Sequence, residues 1–297
     1  MQIKLPKPLK QNKFVVKMHG KERPLVSVVR CKDEKKLKQA INKAVSLIGG
    51  FEKVINEGDK ITLVPNFNSD DPYPASTDLG FLKAVVELLN RFNVKLEMLA
   101  CAGIPWLPTS NVVKKLKVDK FCKEHGIKLK ILDDRQWIKV KLPGYWKAVK
   151  VAKDAYEAEK LIYLPCMKTH RWARFTLSMK LAIGFMGISD RYILHTFGKL
   201  EERIADFNQI VHPDLIIMDG RKSFITKGPN VGDIVKPGVI LASGDRVAID
   251  IQAVKILKSY KKYLKKNRLD MPILKMPQIS RALQLKLGSA KYVLKKG

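Results

Sequence analysis

Short apolar runs recur along this chain. Each is followed by a polar loop and then by a segment whose apolar side chains fall at helical spacing. "KITLV" (60–64) leads into "PNFNSDDPYPAST", after which Leu79, Leu82, Val85, Val86 and Leu89 mark one face of a helix that Ser76 or Thr77 can cap. "VKLEMLACAG" reads as the next strand, "NVVKKLKVDKFCKEHG" as a helix closed by Gly126, and "IKLKILDD" as a strand again. Upstream, "SVVRC" (27–31) and "DEKKLKQAINKAVSLIGG" give a strand and a helix; downstream, "DAYEAEKLIYLP", "DLIIMDG" and "GVILASGD" continue the pattern into the helix "RVAIDIQAVKILKSYKKYLKKN". Runs apolar at consecutive positions suit parallel strands covered on both faces, and strand–helix alternation specifies βαβ units with right-handed crossovers. The expected fold is α/β: a mainly parallel, doubly wound sheet that includes 61–64, 95–100, 161–164, 215–218 and 239–242, with helices on both faces.

At 297 residues the chain can bury one large core or two lobes. Composition and pattern suggest a basic lead-in (1–24), a first α/β lobe (25–150), a second lobe with the site (151–263) and a basic C-terminal tail (264–297). "QWIKVKLPGYWKAVKV" near the lobe boundary reads as a β excursion. No apolar run approaches the ~18 residues of a membrane span, so no transmembrane segment is expected. The N-terminus is positively charged without an apolar stretch behind it, unlike a secretory signal. Cys31, Cys101, Cys122 and Cys166 are scattered with no CxxC pair, which suits a reducing compartment; the expected location is cytoplasmic.

Lys and Arg number 57 against 28 Asp and Glu, a formal net charge of +29. Such an excess speaks to partners rather than to fold. It is concentrated at the ends: residues 251–297 hold 13 Lys and Arg with Asp270 as the single acid. Either these cations coat solvated helix faces, or they meet a polyanion such as RNA, DNA or an anionic membrane surface. Tyr260, Tyr263 and Tyr292 interleave the basic tail, where they can stack on bases or pack against the protein.

The stretch "IYLPCMKTHRWARFTLSMKLAIGF" (162–185) ends a buried strand at Pro165 and then sets Cys166, Lys168, Thr169 and His170 close together. In open α/β sheets ligands bind beyond the carboxyl ends of the strands. Four such ends here are polar: Asn66, the Lys168–His170 set, Asp219 and Asp245. A single polar strand end can be no more than a wet loop; four of them point to a site. His170, Lys168 and Lys180 are the candidate catalytic residues, the imidazole as acid, base or metal ligand and the ammoniums as counter-charges. Asn66, Thr169, Arg191, His195, Asp219 and Asp245 are the candidate ligand-binding residues, and the expected ligand is an anionic small molecule. Cys166, His170 and His195 match no zinc spacing, which leaves any metal open. "SFITKGPNVGD" (223–233) is glycine-rich and could cradle phosphate, but has neither the Walker nor the Rossmann spacing.

Taken in order, "VPNFNSDDPYPAST", "LPCMKTHRWARFTLSMKLAIGFMGISDRYILH", "IIMDGRKSFITKGP" and "ILASGDRVAIDIQAVKIL" resemble the motifs of the family known as domain of unknown function 362, over roughly residues 25–260. That family usually has Lys-Pro-Asn where this chain has Val64-Pro65-Asn66. Its Pro-Lys-x-Lys-Thr-His is here Pro165-Cys166-Met167-Lys168-Thr169-His170, and its Lys-Asn is Lys180-Leu181. The resemblance implies an α/β fold and a site at these motifs, with no settled reaction. Many members carry ferredoxin-like iron–sulfur modules; this chain has no CxxCxxC run, so a cluster of that type is not expected. A weaker similarity of spacing links His170, Lys180 and His195 to the histidine, lysine and histidine of the nickel-pincer lactate racemases. The function expected is that of a small-molecule-binding or catalytic α/β protein acting on an anionic metabolite or cofactor, with metal- or redox-linked chemistry open. The alternative is a basic, nucleic-acid-associated binding protein with a decayed active site.

Overall fold

The computed structural model describes residues 3–101, 103 and 107–297. Its centre is a nine-stranded sheet. In spatial order the strands are Val293–Lys296, Lys21–Arg30, Val239–Ser243, Leu215–Gly220, Lys160–Leu164, Lys60–Pro65, Lys95–Ala100 and Lys128–Ile131, with Val15–Met18 folded back on Lys21–Arg30. That hairpin turns through His19 and Gly20, both at positive φ, the backbone twist that favours tight two-residue hairpins.

The strands from Leu215–Gly220 to Lys128–Ile131 are all parallel to one another. All the segments expected in the sheet are in it, yet the sheet is mixed. Val239–Ser243 runs antiparallel to both Leu215–Gly220 and Lys21–Arg30. No helix separates Gly220 from Val239; a small hairpin, Ser223–Phe224 with Ile234–Val235, brings the chain straight back. A parallel return would need a crossover of a dozen or more residues, usually helical.

Side chains alternate between two cores, one on each face of the sheet. Along Lys160–Leu164, Leu161 and Tyr163 join one core, while Ile162 and Leu164 join the other. The helices Leu37–Ser46, Leu79–Leu89, Thr109–Lys115 and Val118–Glu124 cover one face; Leu200–Phe207, Arg246–Lys258 and Pro277–Gln284 cover the other. The stretch expected as one helix over 111–126 is broken at Lys117, whose φ of 59 starts the second helix anew. The cap of Leu79–Leu89 is Asp78, whose carboxylate accepts from the Phe81 N–H at 3.2 Å, rather than Ser76 or Thr77. Thr77 instead faces inward: its hydroxyl accepts from the Asn66 N–H at 2.8 Å and donates to the Leu164 carbonyl at 3.2 Å, tying two strand ends together.

The β excursion is an antiparallel pair, Trp137–Lys141 with Ala148–Ala152, extended by Ile3–Lys4. Residues 264–297 carry the Pro277–Gln284 helix and the edge strand Val293–Lys296. Tyr260, Tyr263 and Tyr292 pack, partly buried, against the core. Among the described residues no helix is long and apolar enough to cross a membrane.

Candidate functional site

The sheet reverses its direction of growth between Lys60–Pro65 and Lys160–Leu164. From the first strand the chain proceeds outward to Lys95–Ala100 and Lys128–Ile131; from the second it proceeds the other way, to Leu215–Gly220. Loops leaving two such strands diverge and open a crevice at their carboxyl ends. A cavity of about 310 Å³ lies there. Its floor comes from strand ends, including Val64, Asn66 and Leu99, and its far wall from His170, Lys180, Arg191 and His195.

Four successive pieces of chain build that wall. After Leu164 the backbone bridges Cys166 to Asp219, then forms a short antiparallel hairpin, Lys168–His170 with Arg174–Thr176. The one-turn helix Ser178–Leu181 presents Lys180, and the helix Ile188–Thr196 presents Arg191 and His195.

The two imidazoles hold complementary tautomers. His170 Nδ1 accepts from the backbone N–H groups of Trp172 at 3.1 Å and Ala173 at 3.2 Å, so a neutral ring carries its proton on Nε2. Burial, reinforced by the charges of Lys180 and its neighbours, holds His170 well below the ordinary histidine range. His195 Nδ1 donates to the Arg191 carbonyl at 2.7 Å, which leaves a lone pair on its Nε2. Desolvation lowers its pKa too, against the opposing pull of that carbonyl. The Trp172 ring stands beside both, 6.0 Å from His170 and 5.7 Å from His195.

Lys180 is half-buried, and its pKa falls to about 8 through desolvation and then through the nearby charges of Lys168 and Arg191. Among the described residues no carboxylate or carbonyl accepts from its ammonium, and no Asp or Glu lines the cavity. The Arg191 guanidinium lies beside the Cys101 thiol, whose pKa burial raises. The cavity is thus a cationic pocket with a largely apolar body formed by Leu99, Leu132, Leu181, Ile183 and Phe185.

The other sequence candidates lie elsewhere. Lys168 is fully buried behind Asn66, its ammonium donating to the Ala75 carbonyl and, at 3.4 Å, to the Asn66 side chain. It holds the 66–78 loop in place and does not line the cavity. Thr169 is turned away, its hydroxyl donating to the Phe224 carbonyl at 3.1 Å. Asp219 is locked into an ion cluster: Arg221 bonds it at 2.7 Å and the Tyr73 hydroxyl donates to it at 2.9 Å. Asp245 follows the antiparallel strand and so emerges at the opposite edge of the sheet, where it caps the Arg246–Lys258 helix by accepting from Val247 and Ala248 N–H at 2.8 Å. In the glycine-rich stretch, a Cβ at Gly228 would lie 2.0 Å from the Thr169 carbonyl oxygen. That glycine serves close backbone packing, while Pro229 and Asn230 reach the cavity edge.

Two contributors escape sequence reasoning. Trp172 lies two residues past His170, close enough to have been suspected. Asp250 is the other. Fully buried on the Arg246–Lys258 helix, it accepts from the Ser178 and Met179 N–H groups and caps the helix bearing Lys180. Its signal was an acid set among apolar neighbours in "RVAIDIQAVKIL", where a buried carboxyl must find donors. Among the described residues no group of three or more His, Cys, Asp or Glu side chains is arranged to hold a metal ion.

Comparison with known proteins adds three findings. The thylakoid-associated protein sll1697 of Synechocystis sp. is 27% identical over 115 residues, which is 37% of this chain and 36% of that protein. The lactate racemase apoprotein from Thermoanaerobacterium thermosaccharolyticum aligns with a TM-score of 0.46 and 13% identity, over 75% of this chain and 55% of that one. This chain therefore spans about a third of the first protein and about half of the second. A family model described as a domain of unknown function matches residues 61–255, which include the parallel run of the sheet and every cationic or imidazole side chain of the cavity, and by this match the chain belongs to the DUF362 family.

Proposed function

We propose that the cavity binds a small anionic metabolite and moves a proton on it. The observation that carries this reading is the Lys180 ammonium, poised in an apolar pocket with no acceptor among the described residues and no acid in the lining. An anion would be its counter-charge, with Arg191 beside it. His170, protonated on Nε2, would donate to the ligand, and His195, with a lone pair on Nε2, would accept from it. A volume near the lower end of the usual range for ligand sites favours a metabolite over a nucleotide. No disulfide joins Cys31, Cys101, Cys122 or Cys166, in keeping with a cytoplasmic location.

Calorimetric titration with acetate, pyruvate, benzoate and inorganic phosphate tests the reading, alongside mass spectrometry of any small molecule released from protein purified without chelator. At least one of these anions should bind the wild type, with affinity falling about 10- to 100-fold in Lys180→Met, the worth of a charge-assisted contact. Equal binding by both proteins, or none by either, would overturn it. The nucleic-acid alternative rests on the +29 charge. It loses its stacking platform, because the three tail tyrosines pack against the core.

A further inference from the structure

Large apolar side chains are exposed around the mouth of the cavity. Trp172 is 59% exposed and Tyr192 65%, with Ile188 and Val231 also open to solvent. Their placement is coherent. On a helix each residue turns about 100°, so Ile188, Tyr192 and His195 share one side of Ile188–Thr196, while Leu194 faces the core. His195 touches Trp172, and Val231 follows the cavity residues Pro229 and Asn230.

A strongly basic ridge borders this apolar rim. Residues 261–268, "KKYLKKNR", contain no acid, and Lys261, Lys262, Lys265, Lys266 and Arg268 are all exposed. The ridge is fastened to the rim: the Arg268 guanidinium donates to the Trp172 carbonyl at 2.5 Å, and Arg174 Nε donates to the Arg268 carbonyl at 3.1 Å. Arg171, exposed beside the Trp172 ring, adds another cation.

We infer that this rim docks on an anionic lipid bilayer, with the aromatic side chains entering the headgroup boundary and the basic ridge meeting the lipid charges. Charge complementarity selects an acidic partner, and the composition selects among acidic partners. Trp, Tyr and Ile exposed together are what a membrane interface solvates well. Aliphatic Ile188 and Val231 offer nothing to a nucleic-acid base. Docked in this way, the cavity opens toward the membrane, so an amphiphilic anion could enter it without crossing bulk water.

The test uses full-length protein and vesicles of phosphatidylcholine with or without about one-third phosphatidylserine. Sedimentation at low salt should show binding to the anionic vesicles alone, weakened about 100-fold by Ile188→Ser with Tyr192→Ser, given the apolar area removed. Lys265→Glu with Lys266→Glu should weaken it at least tenfold and flatten its salt dependence. Both pairs are exposed, and unchanged melting temperatures would show that the variants fold. Brominated lipid in the same vesicles should quench tryptophan emission in the wild type, and Trp172→Phe should abolish that quenching. Absence of vesicle binding, quenching that survives Trp172→Phe, or full binding by the Ile188/Tyr192 variant would each overturn the inference. So would binding of a generic single-stranded RNA in place of vesicles. Titration of the cavity with acetate in solution is a separate readout, so the two proposals can fail independently.

Discussion

Asp250 accepts hydrogen bonds from the Ser178 N–H at 2.9 Å and the Ser178 hydroxyl at 2.6 Å, 72 residues away in sequence. Through that pair the long helix behind the sheet fixes the short helix that aims Lys180. Burial pushes the Asp250 carboxyl up to about 7, so a neutral side chain is tolerated there. Asp250→Asn keeps one acceptor oxygen but turns its amide N–H toward a buried donor and should cost about 1 kcal/mol, whereas Asp250→Ala leaves all of those donors unmet and should cost about 3 kcal/mol in denaturant unfolding. The sign of the pH effect follows. A carboxyl that holds its proton more tightly folded than unfolded gives a stability that declines as pH rises from about 4 toward 7. Asp250→Asn should remove that part of the decline in melting temperature.

Lys180 titrates at about 8 against its ordinary 10.5. Anion affinity should hold below pH 8 and fall by up to tenfold per unit above it, as the ammonium is lost. In Lys180→Met the small residual affinity should be flat with pH. Calorimetry between pH 6 and 10 reads both.

Buried Lys168 and half-buried Lys180 should part company on mutation. Lys168 has acceptors, so Lys168→Met strands the Ala75 carbonyl and should lower stability by about 2 kcal/mol, a few degrees in melting temperature for a chain of this size. Lys180 has no acceptor among the described residues, so Lys180→Met should leave the melting temperature unchanged or raise it while impairing anion binding. Thermal scans of the two variants side by side decide the matter.

His170 and His195 should show opposite neutral tautomers by nitrogen NMR at pH 7: Nε2–H for His170 and Nδ1–H for His195. His170 should stay neutral at pH values where an ordinary histidine is already charged, because burial holds its pKa well under the ordinary 6.5. Charging of the His170 ring near pH 6.5 would contradict the assignment.

The parallel strands were legible because a strand buried on both faces is almost wholly apolar, as Leu161–Leu164 is and as Ile61–Val64 is apart from Thr62. The direction of Val239–Ser243 was not, since its residues are equally apolar and the reversal lies in the small hairpin before it. That one direction decides where Asp245 emerges. Asp219 and Lys168 look like site residues in sequence because their partners, Tyr73 and Ala75, sit in a loop about a hundred or more positions away. Asn66, His170, Lys180, Arg191 and His195 meet at one cavity because the strands that carry or precede them border the point where the sheet changes direction. Asp250 serves a helix far along the chain, a role no local pattern encodes.

A lining with cations and no acids has a practical result for anyone who handles the protein. On the reading proposed above, chloride, bicarbonate and phosphate from the buffer would all compete for Lys180, so an apparent dissociation constant would scale with the salt chosen. Measurements in acetate and in phosphate will disagree unless the medium is matched.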